Sequence, residues 1–73
     1  MDARTHVFRV EGMRCGSCAL LIDGTLEDLP GVLSTLTTVK QGRSTVELDA
    51  SRTGPDAVIR AIAELGYRAS PVP

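Results

Sequence analysis

Four extended segments and two helical stripes, in the order β-α-β-β-α-β, predict an α+β domain with two helices on one face of a four-stranded antiparallel sheet. Three observations carry that expectation. Alternating apolar residues mark the strands, apolar residues three and four apart mark the helices, and glycine and proline stand at the junctions between them. This order is the ferredoxin-like arrangement. At 73 residues the chain has room for one domain, 1–73.

The first strand is read from His6 to Val10, with Phe8 and Val10 on one face and Val7 and Arg9 on the other. Glu11 to Ser17 carries two glycines and reads as a loop. From Cys18 the period changes: Ala19, Ile22, Leu26 and Leu29 draw a single stripe along a helix. Pro30 ends that helix by biasing Leu29 away from helical angles, and Gly31 follows it. Val32 to Val39 and Ser44 to Leu48 read as strands joined by the turn Lys40-Gln41-Gly42-Arg43. The inward face of the second strand stays open between Thr35, Thr37, Val39 and Ser34, Leu36, Thr38, because neither set is clearly apolar. Gly54 suits an N-cap, Pro55 the first helical position and Asp56 the positive helix end. The second stripe is Val58, Ile62 and Leu65, and Gly66 is placed as the left-handed residue after the helix. A short last strand is expected over Tyr67 to Ala69, stopped by Pro71 and Pro73.

Composition narrows the function. Hydrophobic residues make up 42% and charged residues 23%, a globular balance, and the formal net charge is −1. Phe8 and Tyr67 are the two aromatics, and no basic stripe runs along the chain, so no nucleic acid is expected as a partner. No apolar run approaches the roughly 20 residues that cross a bilayer, so no membrane insertion is expected. The N-terminus has no apolar segment behind its charges, and two cysteines at this spacing make no disulfide framework. A reducing, cytoplasmic setting follows as the expectation. A chain this short has little room for a deep pocket, and no general acid or base constellation can be assembled, so the protein is not expected to be an enzyme.

The chemistry lies in Gly12-Met13-Arg14-Cys15-Gly16-Ser17-Cys18, between the first strand and the first helix. Cys15 falls in the loop and Cys18 in the first helical turn, so two sulfurs converge on one exposed point. Unpaired N–H groups at the helix start favour thiolate, and Arg14 adds a cation beside the pair. Thiolates select soft ions. A closed zinc site wants about four ligands, or three plus water; two sulfurs suit monovalent copper or Hg(II) better. A C-x-x-C at a helix start is also how dithiol oxidoreductases are built, but no Trp precedes the first cysteine here.

The same run, with Ala19, Ile22, Leu26, Leu29, Gly31-Val32 and Gly66-Tyr67, resembles the heavy-metal-associated (HMA) domain family over roughly His6 to Val72. That family includes copper chaperones, N-terminal domains of metal-pumping P-type ATPases and mercury-binding proteins. The resemblance implies a ferredoxin-like fold with Cys15 and Cys18 as metal ligands, Met13 as a buried support under the loop and Tyr67 as a neighbour of the sulfurs. It implies a carrier of Cu(I), with Hg(II), Zn(II) and Cd(II) as alternatives, passing the ion by thiolate exchange. Its partner would be a metal-transporting ATPase or another HMA domain, and two copies sharing one ion would form a metal-bridged homodimer. Whether the chain is a free carrier or the receiving module of an ATPase stays open. His6 is expected to be a solvated strand residue. Leu20 and Leu21 point away from the helical stripe one turn from the cysteines, which leaves them either as scattered surface leucines or as a docking patch.

Overall fold

The computed structural model describes residues 2–72. Its elements are β1 (Ala3–Glu11), α1 (Gly16–Glu27), β2 (Val32–Thr38), β3 (Arg43–Asp49), α2 (Pro55–Glu64) and β4 (Arg68–Pro71). The four strands form one antiparallel sheet in the order β2-β3-β1-β4. Each helix therefore connects two parallel strands with a third strand between them, the split β-α-β unit of the ferredoxin-like fold.

The core forms on the helical side of the sheet. Phe8 and Val10 from β1, Val46 and Leu48 from β3, and Ala69 from β4 are buried against Ile22 and Leu26 of α1 and Val58, Ala61 and Ile62 of α2. The period of two along the strands and of three to four along the helices brings these residues to one layer. At about 25 cal/mol per Å² of apolar surface, each large side chain buried here stabilises the fold by about 1.5–3 kcal/mol. Gly54 is the N-cap of α2 and Pro55 opens it, and Gly66 follows it at φ +96°.

The second strand resolves the choice that its sequence leaves open. Thr35 and Thr37 face the helices, while Leu36 lies on the open face and is 64% exposed. The inward threonines are held by a residue of α1. Asp23 accepts hydrogen bonds from the hydroxyls of Thr35 (2.8 Å) and Thr37 (2.6 Å) and from the Thr37 backbone N–H (3.1 Å). The Thr37 hydroxyl is also 2.9 Å from that of Ser44 on β3. A polar seam thus replaces apolar packing at this edge, and each buried hydroxyl is satisfied.

Three expectations need correction. β1 is longer than His6–Val10 at both ends, because its pairing with β3 runs out to Ala3 opposite Asp49. His6 is half-buried, its ring 6.2 Å from that of Phe8, rather than solvated. Pro71 lies within β4 instead of stopping it; β4 is an edge strand, where a residue without an N–H is tolerated.

Candidate metal centre

The direction of the strands puts one end of the domain in charge of the chemistry. β1 runs up to Glu11, β3 starts beside it at Arg43, and β4 starts opposite Glu11 at Arg68. The loop 12–15, the turn after β2 and the residues before β4 therefore meet at one tip. Gly12 sits at φ +103°, and a Cβ there would lie 3.3 Å from Cδ1 of Tyr67. Glycine serves on both counts: it permits the left-handed backbone that turns the loop, and it lets the Tyr67 ring close on it. Met13 is partly buried and packs on the core beneath, as the resemblance implies.

Cys15 is the N-cap of α1, with extended backbone angles, and Cys18 is the third helical residue, its N–H bonded to the Cys15 carbonyl at 3.0 Å. Both thiols are free; Cys15 is exposed and Cys18 partly so. Their sulfurs stand 3.8 Å apart. The Ser17 hydroxyl lies 2.9 Å from the Cys15 sulfur and can donate to its thiolate. The sequence reading overlooked Ser17. Its signal was a hydroxyl two residues beyond the cysteine at a helix start, where Ser commonly turns back on its neighbour.

The Cys18 thiol is pulled down from 9.0 to about 7. The largest cause is the backbone N–H of Arg14, followed by the Tyr67 hydroxyl and the N–H of Cys15, while partial burial works the other way. Amides of the loop and of the N-cap residue thus stabilise the thiolate, with Arg14 contributing its backbone N–H. Tyr67 is raised from 10.0 in return, chiefly because its hydroxyl donates to Cys18.

The structure thus gathers Cys15, Cys18 and Tyr67 at the tip and leaves His6 out. Among the described residues, no group of three His, Cys, Asp or Glu side chains could hold an ion together. Two converging, accessible sulfurs are a donor set for one soft ion of low coordination number.

The heavy-metal-associated domain family matches residues 7–68, most of the chain. The chain belongs to that family. It is 42% identical over 65 residues to a mercuric reductase of Serratia marcescens, and 42% identical over 64 residues to a zinc-transporting ATPase of Synechocystis. These stretches cover 89% and 88% of this HMA chain but 14% and 9% of those two proteins. Among solved structures, the apo copper chaperone of Enterococcus hirae superposes with a TM-score of 0.85 at 28% identity, over 92% of this chain and 98% of that one. The family is described by its association with heavy metals, and in this HMA domain the two free thiols lie within the matched stretch. Among the described residues, no helix is long and apolar enough to cross a membrane.

Proposed function

We propose that this HMA domain carries one Cu(I) between Cys15 and Cys18 in the cytoplasm and passes it by thiolate exchange to a metal-transporting ATPase or another HMA domain. The observation that carries this reading is the pair of accessible sulfurs 3.8 Å apart with no third side-chain ligand beside them among the described residues. With metal–sulfur bonds of about 2.3 Å, a separation of 3.8 Å subtends about 110° at the ion. That is a bent angle, near the tetrahedral value and about 10° short of trigonal. It leaves a third corner open for an incoming sulfur, so little movement separates the resting pair from an arrangement of three sulfurs sharing one ion. The partner's thiolate forms its bond to the ion as one of the original sulfurs leaves, and a thiol near pKa 7 leaves readily at neutral pH. The copper chaperone among the structural relatives supports the same reading.

The mercuric reductase among the relatives favours a second reading, in which the cargo is Hg(II). Anaerobic competition of the reduced protein against a strong chelator separates the two, with Cu(I), Hg(II), Zn(II) and Cd(II) compared in one buffer. Cu(I) is expected to bind one per chain, and the double variant Cys15→Ser/Cys18→Ser is expected to lose tight binding while keeping its fold. Retention of Cu(I) by that variant would falsify the assignment of the ligands. Preference for Hg(II) at concentrations where Cu(I) is outcompeted would transfer the role to mercury.

A further inference from the structure

The open face of the sheet, away from the helices, carries a charge arrangement that the metal site does not use. Arg9 on β1 stands directly opposite Arg43 on β3. Side chains so paired on adjacent strands have Cβ atoms about 4.5–5.5 Å apart, and like charges in that position are destabilising. Neither arginine has an acid beside it in the same row: the β4 neighbour of Arg9 is Ser70, and the β2 neighbour of Arg43 is Thr38. Among the described residues the one ion pair is Arg4 with Asp2, at the other end of β1. The nearest acid on β1, Glu11, is set opposite Arg68 of β4. Glu47 is two rows away, opposite Thr5.

The two arginines line a depression of about 510 Å³ together with Gln41, Ser70 and Glu11 and the apolar Pro71 and Val72. That volume falls in the range of small-molecule sites, roughly 300–1,000 Å³. Two guanidinium forks, an amide and a hydroxyl face one space, against a single carboxylate that has Arg68 on its far side. Guanidinium forks match the paired oxygens of carboxylates and phosphates. An oxyanion seated between Arg9 and Arg43 would turn a repulsive cross-strand pair into a bridged one.

We propose that this depression is a binding site for a small oxyanion, held between Arg9 and Arg43 with Gln41 and Ser70 as further donors. It shares no residue with the dithiol, lies on the opposite side of the sheet from the helices, and needs no metal.

The test is titration of reduced, metal-free protein with inorganic phosphate and, separately, with succinate, each against sodium chloride at equal ionic strength. Backbone amide shifts and thermal midpoint are followed together. Saturable shifts at Gln41, Arg43 and Ser70, with a rise in midpoint beyond that in chloride, are expected for at least one probe. The stronger probe identifies phosphate or carboxylate as the ligand class. Arg9→Gln and Arg43→Gln should each weaken binding at least tenfold, and should raise the midpoint of the ligand-free protein by removing the repulsion. Arg43→Lys, which keeps the charge without the fork, should retain weaker binding. Three results overturn the site: responses no larger than chloride for both probes, undiminished binding in the Gln variants, or shifts centred on residues 13–18 instead.

Discussion

Replacing Asp23 with Ala removes the acceptor for three hydrogen bonds that tie α1 to β2. Bonds to a charged acceptor contribute about 1.5–3 kcal/mol each when enclosed. Asp23 is only half-buried, and the Thr37 hydroxyl keeps its contact with Ser44, so the lower end of that range applies and the three do not add fully. The expected loss is about 3 kcal/mol. For a domain of this size about 1 kcal/mol moves the thermal midpoint by roughly 4–8 °C, which places the drop at about 12–24 °C. Asp23→Asn keeps one acceptor oxygen and should lose about half as much. The assay is thermal and urea unfolding of reduced, metal-free protein, combined with Thr37→Val in a double-mutant cycle, where a coupling above about 1 kcal/mol is expected. Asp23 lies five residues along α1 from Cys18, about 7.5 Å of helix rise, so Cu(I) affinity should stay within about twofold. A loss below about 1 kcal/mol for the Ala variant, or no coupling to Thr37, would refute the account of how β2 is held.

Other expectations concern the tip and the first helix. Tyr67→Phe removes the second-largest influence holding Cys18 near 7, so the midpoint of Cys18 alkylation by iodoacetamide should rise toward 9.0. With the thiolate as the proposed ligand, metal affinity should fall as pH drops below about 7 in the parent and from a higher pH in Tyr67→Phe; identical alkylation profiles would show that the tyrosine does not touch the sulfur's chemistry. A Cβ at Gly24 meets nothing, so Gly24→Ala should stabilise α1 by about 0.5–1 kcal/mol, read as a higher thermal midpoint; a decrease would reveal a contact that the structure lacks. Leu20 and Leu21 are 73% and 50% exposed, so changing both to Gln should leave stability within about 0.5 kcal/mol while slowing metal transfer to a partner domain. Unchanged transfer in a stopped-flow assay would remove the docking role. Arg14→Asp should raise the ratio of Zn(II) to Cu(I) affinity by about tenfold, the effect of reversing one exposed charge several Å from ions that differ by one unit; chelator competition with both metals decides it, and a flat ratio would leave the Arg14 side chain without a part in selectivity.

Local patterns in the sequence were enough for everything governed by neighbours along the chain. Ala19, Ile22 and Leu26 of the expected stripe are the buried face of α1, which ends at Glu27, short of Leu29 and Pro30; Leu20 and Leu21 are exposed, and Gly54-Pro55 and Gly66 bracket α2 where the capping rules put them. What escaped was settled across the fold. Whether Thr35 or Leu36 faces inward depends on Asp23, twelve residues before Thr35 on another element, and a polar inward face hides from hydrophobic periodicity. The length of β1 depends on how far β3 continues beside it, and a proline in β4 is tolerated only because that strand lies at an edge. At the tip the two cysteines stand out in the sequence and the resemblance places Tyr67 beside them, but the amides of Arg14 and Cys15 that tune Cys18 are backbone groups that no residue type marks.

The strand directions also decide how the domain can be wired into a larger protein. β1 enters beside Ala50, whose N–H bonds the Asp2 carbonyl, and climbs to the dithiol loop; β4 descends from that loop and reaches the level of Val7 at Val72. Chain added at either terminus would thus leave away from the cysteines, and the domain would work as a head on a stalk. The longest dimension of the domain is 34 Å. A flexible tether of about 25 residues spans about 25–30 Å on average, comparable with the domain itself. Over such a reach a receiving site on the same polypeptide would meet the dithiol at an effective concentration near the millimolar range, so delivery between tethered heads would need almost no intrinsic affinity between their surfaces.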